Sequence, residues 1–333
     1  MPFTPEQLSG VKTIITHEGC PDGIASAIIL KDAFYDRQLD IRFMMYGTPA
    51  YAALKPEPGM LFCDFSPAAP DAPGFVEAGA LILDHHRTAR AVVEGFGANG
   101  VFGDEKTQPG VCGASLAYEH IWLPAWVRAT KLIPSRTRED DEAIGRRNFV
   151  ERFARLAGIR DTWQRQSPEW TEACAQADLL RFMGADRLLA KPLWGLAADW
   201  TEHYKWVGDV LLERNARSVQ KAIKGAFRFK SDKGTRVIMF DSTGLSSDVA
   251  EACGEEFDLV IGFGYTSDDP TLPPKIILST RSHTTFDCAA FVQRFGGGGH
   301  TKAAGCTIVA EPLETTPNPY ILVRDLLNLH EKG

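Results

Sequence analysis

Short apolar runs alternate with amphipathic stretches through the first hundred residues. Residues 11–16, 41–46, 60–65 and 80–84 read as strands, and 22–35 as a helix carrying Ile24, Ala27 and Ile28 on one face. Such alternation predicts βαβ units in a largely parallel sheet. From residue 113 to about 185 the spacing becomes helical, with apolar residues three and four apart in 111–122 and 143–156. The charged stretch 134–142 between them predicts a solvated loop. Residues 201–224 predict a long helix. A second alternating region follows, with strands at 236–240, 259–263 and 275–280 and helices near 246–255 and 285–295. The fold class is therefore α/β. A parallel-sheet domain over 1–200 leads through a linker helix, 201–225, to a smaller α/β domain over 226–333.

At 333 residues the chain is long enough for two cores. A net charge of -7 excludes a broad electrostatic grip on duplex DNA, which needs a basic face. It leaves room for a small phosphate-bearing substrate held in a pocket. No apolar run approaches membrane-spanning length, and residues 1–8 lack the basic and apolar halves of a signal peptide. The seven cysteines are odd in number and form no CxxC pair, which predicts reduced thiols and a cytoplasmic protein. The sequence leaves oligomeric state open, a homodimer among the options.

Candidate chemistry sits where predicted strands end. Asp84-His85-His86 follows the apolar run 80–83, and no packing argument asks for two adjacent histidines at the rim of a sheet, where open α/β proteins bind ligands. His17-Glu18-Gly19-Cys20-Pro21-Asp22-Gly23 follows the first strand, Asp64 ends another, and Asp161 closes a helical stretch. Taken singly, each has a plain structural explanation. Asp22 would cap the helix that follows it, Asp64 would be a turn residue before Ser66-Pro67, and Asp161 a helix-end carboxylate. The run Gly296 to Gly299, with His300 and Lys302 behind it, would be a flexible loop. Their conjunction at successive strand ends points instead to metal chemistry. Imidazoles and carboxylates suit two hard or borderline divalent ions sharing one carboxylate. Two ions about 4 Å apart can activate a water and neutralise a phosphoryl oxygen. Glycine backbone N–H groups can approach a phosphate closely.

His17 with Pro21-Asp22-Gly23, Asp64, Asp84-His85-His86, Asp161, and Arg281-Ser282 followed by GGGGHTKAAG resemble, in order and over almost the whole chain, the DHH-family phosphoesterases of the DHH–DHHA1 type. The resemblance implies an N-terminal domain holding two metals, usually manganese, and a smaller C-terminal domain that grips the substrate. It implies that His17 and Asp64 bind the first ion. Asp22, Asp64, His85 and Asp161 would bind the second, making Asp64 the bridge. It further implies that Asp84 supports the site from behind and His86 faces the scissile phosphate. Arg281, Ser282, Gly297, Gly298, Gly299 and His300 would hold the substrate's phosphate and sugar end.

The family's first motif usually carries two aspartates one residue apart, and the first of those positions is Cys20 here. Either Cys20 ligates a softer ion such as zinc or iron, or Glu18 reaches in, or the first site fills only with substrate, or Cys20 merely packs. The expected activity is metal-dependent hydrolysis of short single-stranded oligonucleotides or small nucleotides to mononucleotides, with no membrane partner. Within the same chemistry stand a 3′-phosphatase on a bisphosphorylated nucleotide and a cyclic- or linear-dinucleotide phosphodiesterase. From other classes come a nucleotide-binding protein whose catalysis has decayed and an RNA-binding glycine-rich domain.

Overall fold

The computed structural model describes residues 3–130, 138–190, 205–266, 275–308 and 318–332. The chain divides into two compact units, Met1–Leu212 and Glu213–Gly333, with the division falling inside the helix Lys205–Gly225.

The first unit is built on a five-stranded, wholly parallel sheet. Its strands are β1 (Thr13–His17), β2 (Asp40–Met44), β3 (Met60–Cys63), β4 (Leu81–Asp84) and β5 (Gly100–Phe102), in the order β2-β1-β3-β4-β5. Successive residues of a strand face opposite sides, so each face collects its own core. Ile14, Leu61 and Leu83 pack with Ile24, Ile28, Val150 and Phe153 on one side, while Ile15, Phe62 and Ile82 pack with Phe75, Val93 and Phe96 on the other. Burial on both faces is why these strands read as continuous apolar runs. The chain leaves β1 for β2 on one side and then returns to place β3 on the other. This reversal opens a crevice at the carboxyl ends of β1 and β3, the usual ligand position in such sheets.

The second unit carries a six-stranded mixed sheet in the order β10-β11-β9-β8-β7-β6. These strands are β6 (Phe227–Lys230), β7 (Arg236–Asp241), β8 (Leu259–Thr266), β9 (Lys275–Arg281), β10 (Gly298–Gly299) and β11 (Ala303–Ile308). Val237, Leu259, Ile261 and Leu278 meet Phe291, Val323 and Leu327 on one face, and Ile238, Phe240 and Val260 meet Val219 and Val249 on the other. No described helix is long and apolar enough to cross a membrane.

The loop expected over 134–142 is corrected in part. The helix Arg138–Asp161 already includes 138–142, and 134–137 lie outside the described residues. The helix expected over 111–122 is interrupted: Gly113–Ala117 passes into a wide π turn, Tyr118–Trp122, before Leu123–Thr130. Strands β5, β6 and β11 carry too short or too irregular a pattern to be read from periodicity, whereas the helix Pro319–Lys332, with Val323 and Leu327 buried four apart, goes unread despite its helical spacing. Of the expected linker helix, 201–204 lie outside the described residues and the rest is helical.

Candidate metal centre

His17 ends β1, and the chain turns through Gly19, at φ 70°, into the helix Pro21–Ala33. Gly23 permits this sharp entry, because a Cβ there would lie 2.3 Å from the His17 carbonyl oxygen. Pro21 occupies the first helical position, where its missing N–H costs nothing. Cys20 is the N-cap, yet its side chain makes no capping bond. Asp22 does not cap this helix, the reading it would carry if taken singly. Asp22 is the second residue of the helix, in its first turn and buried, and its two oxygens accept the backbone N–H groups of Gly113 (2.6 Å) and Ala114 (2.9 Å). It therefore caps the first turn of a helix ninety residues further on, and each oxygen keeps a lone pair for another partner.

Asp64 follows β3 in the left-handed region, at φ 58°, a conformation aspartate tolerates better than most side chains. That turn sends its carboxylate into the crevice. There His85 Nε2 lies 3.1 Å from Asp64 Oδ1, 3.6 Å from Asp22 Oδ2 and 3.7 Å from Asp161 Oδ2. Three carboxylates from a strand end, a helix start and a helix end thus converge on one imidazole. On the other side of Asp64, its Oδ2 lies 4.0 Å from His17 Nδ1. The ligand-capable atoms of Asp22, Asp64 and His85 lie within 4.8 Å of one another, and so do those of His17, Cys20 and Asp64. Asp64 is the member common to both groups. Cys20 falls in the group with His17 and Asp64, and Glu18 is exposed.

The electrostatics separate two kinds of carboxyl. Burial first, and then the neighbouring Asp22, push the Asp64 carboxyl well above the usual range. Asp22 is likewise raised by burial and by Asp161. Asp84 is also buried, but His86 and His85 overcome that burial and hold it ionised. Burial lowers His17 to about 4, which keeps its imidazole neutral, the form a metal requires. Burial beside Asp64 and Asp161 pushes the Cys20 thiol up, so only a cation would favour its thiolate.

This donor set fits a pair of divalent cations. His17 Nδ1 and Asp64 Oδ2 are buried and have no hydrogen-bond partner among the described residues, a costly condition that coordination would relieve. Like-charged carboxylates gathered around Asp64 are the other half of the fit, since a cation converts their repulsion into ligation.

No family model matches the chain. Among solved structures, the fold is similar over 98% of the chain to the DHH domain of a member of the s1p family of ribosomal proteins, with 13% identity, 87% of that chain covered and a TM-score of 0.52. The chain shares the fold of that DHH domain. RecJ from Thermus thermophilus, solved in complex with Mn2+, is similar over 98% of this chain and 53% of its own, with 15% identity and a TM-score of 0.50. In sequence, 175 residues are 25% identical to oligoribonuclease NrnB of Bacillus subtilis, spanning 50% of this chain and 42% of that protein.

The tripeptide after β4 divides its residues as the strand geometry dictates. Asp84 Oδ1 accepts the backbone N–H groups of His85 (2.7 Å) and His86 (2.9 Å) and the His86 ring at Nδ1 (2.7 Å). An ionised carboxylate can only accept, so the proton of His86 sits on Nδ1. His85 turns to the carboxylate cluster and His86 stays beside it, with Nδ1 4.0 Å from Asp64 Oδ1.

The residues expected to bind substrate lie in the second unit. Arg281 ends β9, where its Nε donates to Ser247 Oγ (2.9 Å) and its guanidinium also reaches Ser279 Oγ (3.1 Å). Ser282 is buried at 1% exposure, and its Oγ accepts the Thr284 N–H. The glycine run is not a loose loop. Gly298 and Gly299 form β10 against Gly305 and Ala304, and His300 and Ala303 close a two-residue hairpin turn. A Cβ on Gly297 would lie 2.3 Å from the Gly305 carbonyl oxygen, so that glycine is required by the approach of two strands.

Three further residues shape the centre without a sequence signal that marks them. Gly113 lets its helix touch the site, Ser66 donates to Asp84 Oδ2, and Tyr46 accepts the Ser66 N–H at 3.0 Å. A glycine before SLA, a serine before proline and a tyrosine after a strand are common enough to pass unnoticed.

Proposed function

We propose that this chain is a metal-dependent phosphodiesterase that hydrolyses short single-stranded oligonucleotides or small nucleotides to mononucleotides. The observation that carries the reading is Asp64, a buried carboxylate common to two ligand groups, with an unpartnered oxygen on the His17 side. His17, Cys20 and Asp64 would hold one divalent ion, and Asp22, Asp64, His85 and Asp161 the other. Such a pair, when bound, supplies an activated water and neutralises the phosphoryl oxygen in an in-line displacement.

The chain's own residues do the rest. Asp22 and Asp64 are fixed by a helix N-terminus and a left-handed turn, so ligand geometry is set before any ion arrives. His86 keeps its Nδ1 proton on Asp84, which fixes the orientation of the ring that would face the scissile phosphate. Similarity to an oligoribonuclease favours a short RNA substrate, and the net charge of -7 suits a few nucleotides better than a long strand. Manganese is the proposed ion at the second group. The seven free cysteines fit a reducing, cytoplasmic setting.

The decisive assay incubates purified protein and Mn2+ with labelled di-, tri- and tetranucleotides. Metal-dependent release of mononucleotides is expected, and no product from any of them overturns the proposal. Arg281 is the proposed phosphate-binding residue of the second unit. Arg281→Ala should raise KM for a dinucleotide about tenfold with kcat little changed, the loss of one charge-assisted phosphate contact. Cys20 gives a separate expectation, because thiolate favours softer ions. Cys20→Asp should shift preference toward manganese, and Cys20→Ala should lower affinity for the first ion. Cobalt-loaded wild type should also show thiolate-to-cobalt absorption that both variants lose. Identical metal content and spectra in all three proteins would show that Cys20 only packs.

A further inference from the structure

Asp84 binds its neighbours unequally. Oδ1 collects three donors: the backbone N–H groups of His85 and His86 and the His86 ring. Oδ2 has the Ser66 hydroxyl as its partner. Ser66 is buried at 4% exposure and is itself pinned at both backbone ends. Its N–H donates to the Tyr46 hydroxyl at 3.0 Å, and its carbonyl accepts the Tyr51 hydroxyl at 3.4 Å. Tyr46 is stacked on Phe65 at 4.2 Å between ring centroids, and Tyr51 meets both rings edge-on. The aromatic cluster after β2 therefore fixes Ser66, and Ser66 holds the carboxylate plane of Asp84 from the side opposite His86.

We propose that Ser66, anchored by Tyr46, is a positioning residue that sets the orientation of His86 through Asp84. With all donors but one on Oδ1, the carboxylate would be free to swing about its Cβ–Cγ bond once Oδ2 lost its partner. A hydrogen bond to an ionised acceptor is among the stronger ones, and a dry site strengthens it further. The His86 ring follows the oxygen to which its Nδ1 proton is bound. These contacts border the metal ligands, since the His17 ring lies 5.7 Å from the Tyr46 ring and His86 Nδ1 lies 4.0 Å from Asp64 Oδ1, so metal content must be read beside kcat to assign the effect to His86. The inference rests on the reading of His86 given above.

The test uses the full chain with Ser66→Ala, Ser66→Thr and Tyr46→Phe. In the manganese-loaded enzyme, Ser66→Ala should lower kcat on a dinucleotide about tenfold, with KM held within about twofold and the metal content per chain unchanged. Ser66→Thr should restore most of the loss, and Tyr46→Phe should fall between. Nitrogen-15 NMR of histidine-labelled, magnesium-loaded protein should show His86 protonated at Nδ1 in wild type and a mixture of tautomers in Ser66→Ala. An unchanged kcat in Ser66→Ala, a matching loss of metal, or failure of threonine to rescue overturns the proposal. Should wild type turn over no nucleotide, the functional reading fails, and the NMR arm decides alone. An unchanged His86 tautomer in Ser66→Ala then overturns the positioning role.

Discussion

Asp64→Asn should abolish binding of both metal ions while leaving the chain folded. Removing an outer partner of a metal ligand costs roughly 10–100-fold, so loss of a carboxylate common to both ligand groups should cost on the order of 10³-fold in kcat/KM. Asparagine tolerates the left-handed turn at φ 58° nearly as well as aspartate, so the backbone has no reason to move. The metal-free variant should be at least as stable as metal-free wild type. The sign follows from the raised Asp64 pKa. A carboxyl whose folded value lies above the ordinary 3.8 loses stability as pH rises from that value through the folded one, and a neutral amide carries no such burden at pH 7. Metal content, dinucleotide turnover and thermal melts with and without Mn2+ check all three parts. A variant that retains both ions would remove Asp64 from the bridging position.

Gly113→Ala should damage the site and the fold together. The added Cβ would lie 2.4 Å from Asp64 Cβ, 2.8 Å from Ser26 Oγ and 3.0 Å from Asp22 Oδ2. None of these can retreat cheaply, since Ser26 is fully buried in its helix and Asp22 is bound to this same turn. Overpacking of this kind costs roughly 1–3 kcal/mol. The helix Gly113–Ala117 must therefore shift outward, stretching the two N–H bonds that hold the Asp22 carboxylate. A lower melting temperature with weakened metal affinity is expected. Gly145→Ala is the control, because a Cβ there meets nothing within 4 Å. Equal melting temperatures and metal affinities for the two variants would mean the helix is not clamped as described.

The central parallel strands β1, β3 and β4 were legible because each is buried on both faces and so reads as an apolar run. The short β5 was not, since three residues flanked by glycine carry no periodicity. The charged start of the helix Arg138–Asp161 looks like a loop in sequence because acidic clusters serve both solvated turns and helix N-termini. For Asp22, sequence proximity suggested the wrong helix: its partners, Gly113 and Ala114, meet it only through the packing of two helices on one sheet face. The glycine run misled in the opposite direction, since close strand approach and loop freedom call for the same residue.

By itself, the sequence determined the chemical inventory: imidazoles and carboxylates at successive strand ends, a cysteine where an aspartate is usual, and two α/β regions. These are local facts, written in residue type and apolar spacing. Only the tertiary structure decided how the inventory is shared. It brought Asp64 within reach of both His17 and His85, set Asp22 under a distant helix, and tied Asp84 to Ser66 and Tyr46. The physical reason is the strand order. Placing β3 beside β1 and β4 beside β3 juxtaposes residues tens of positions apart, and no local pattern records which strand ends become neighbours.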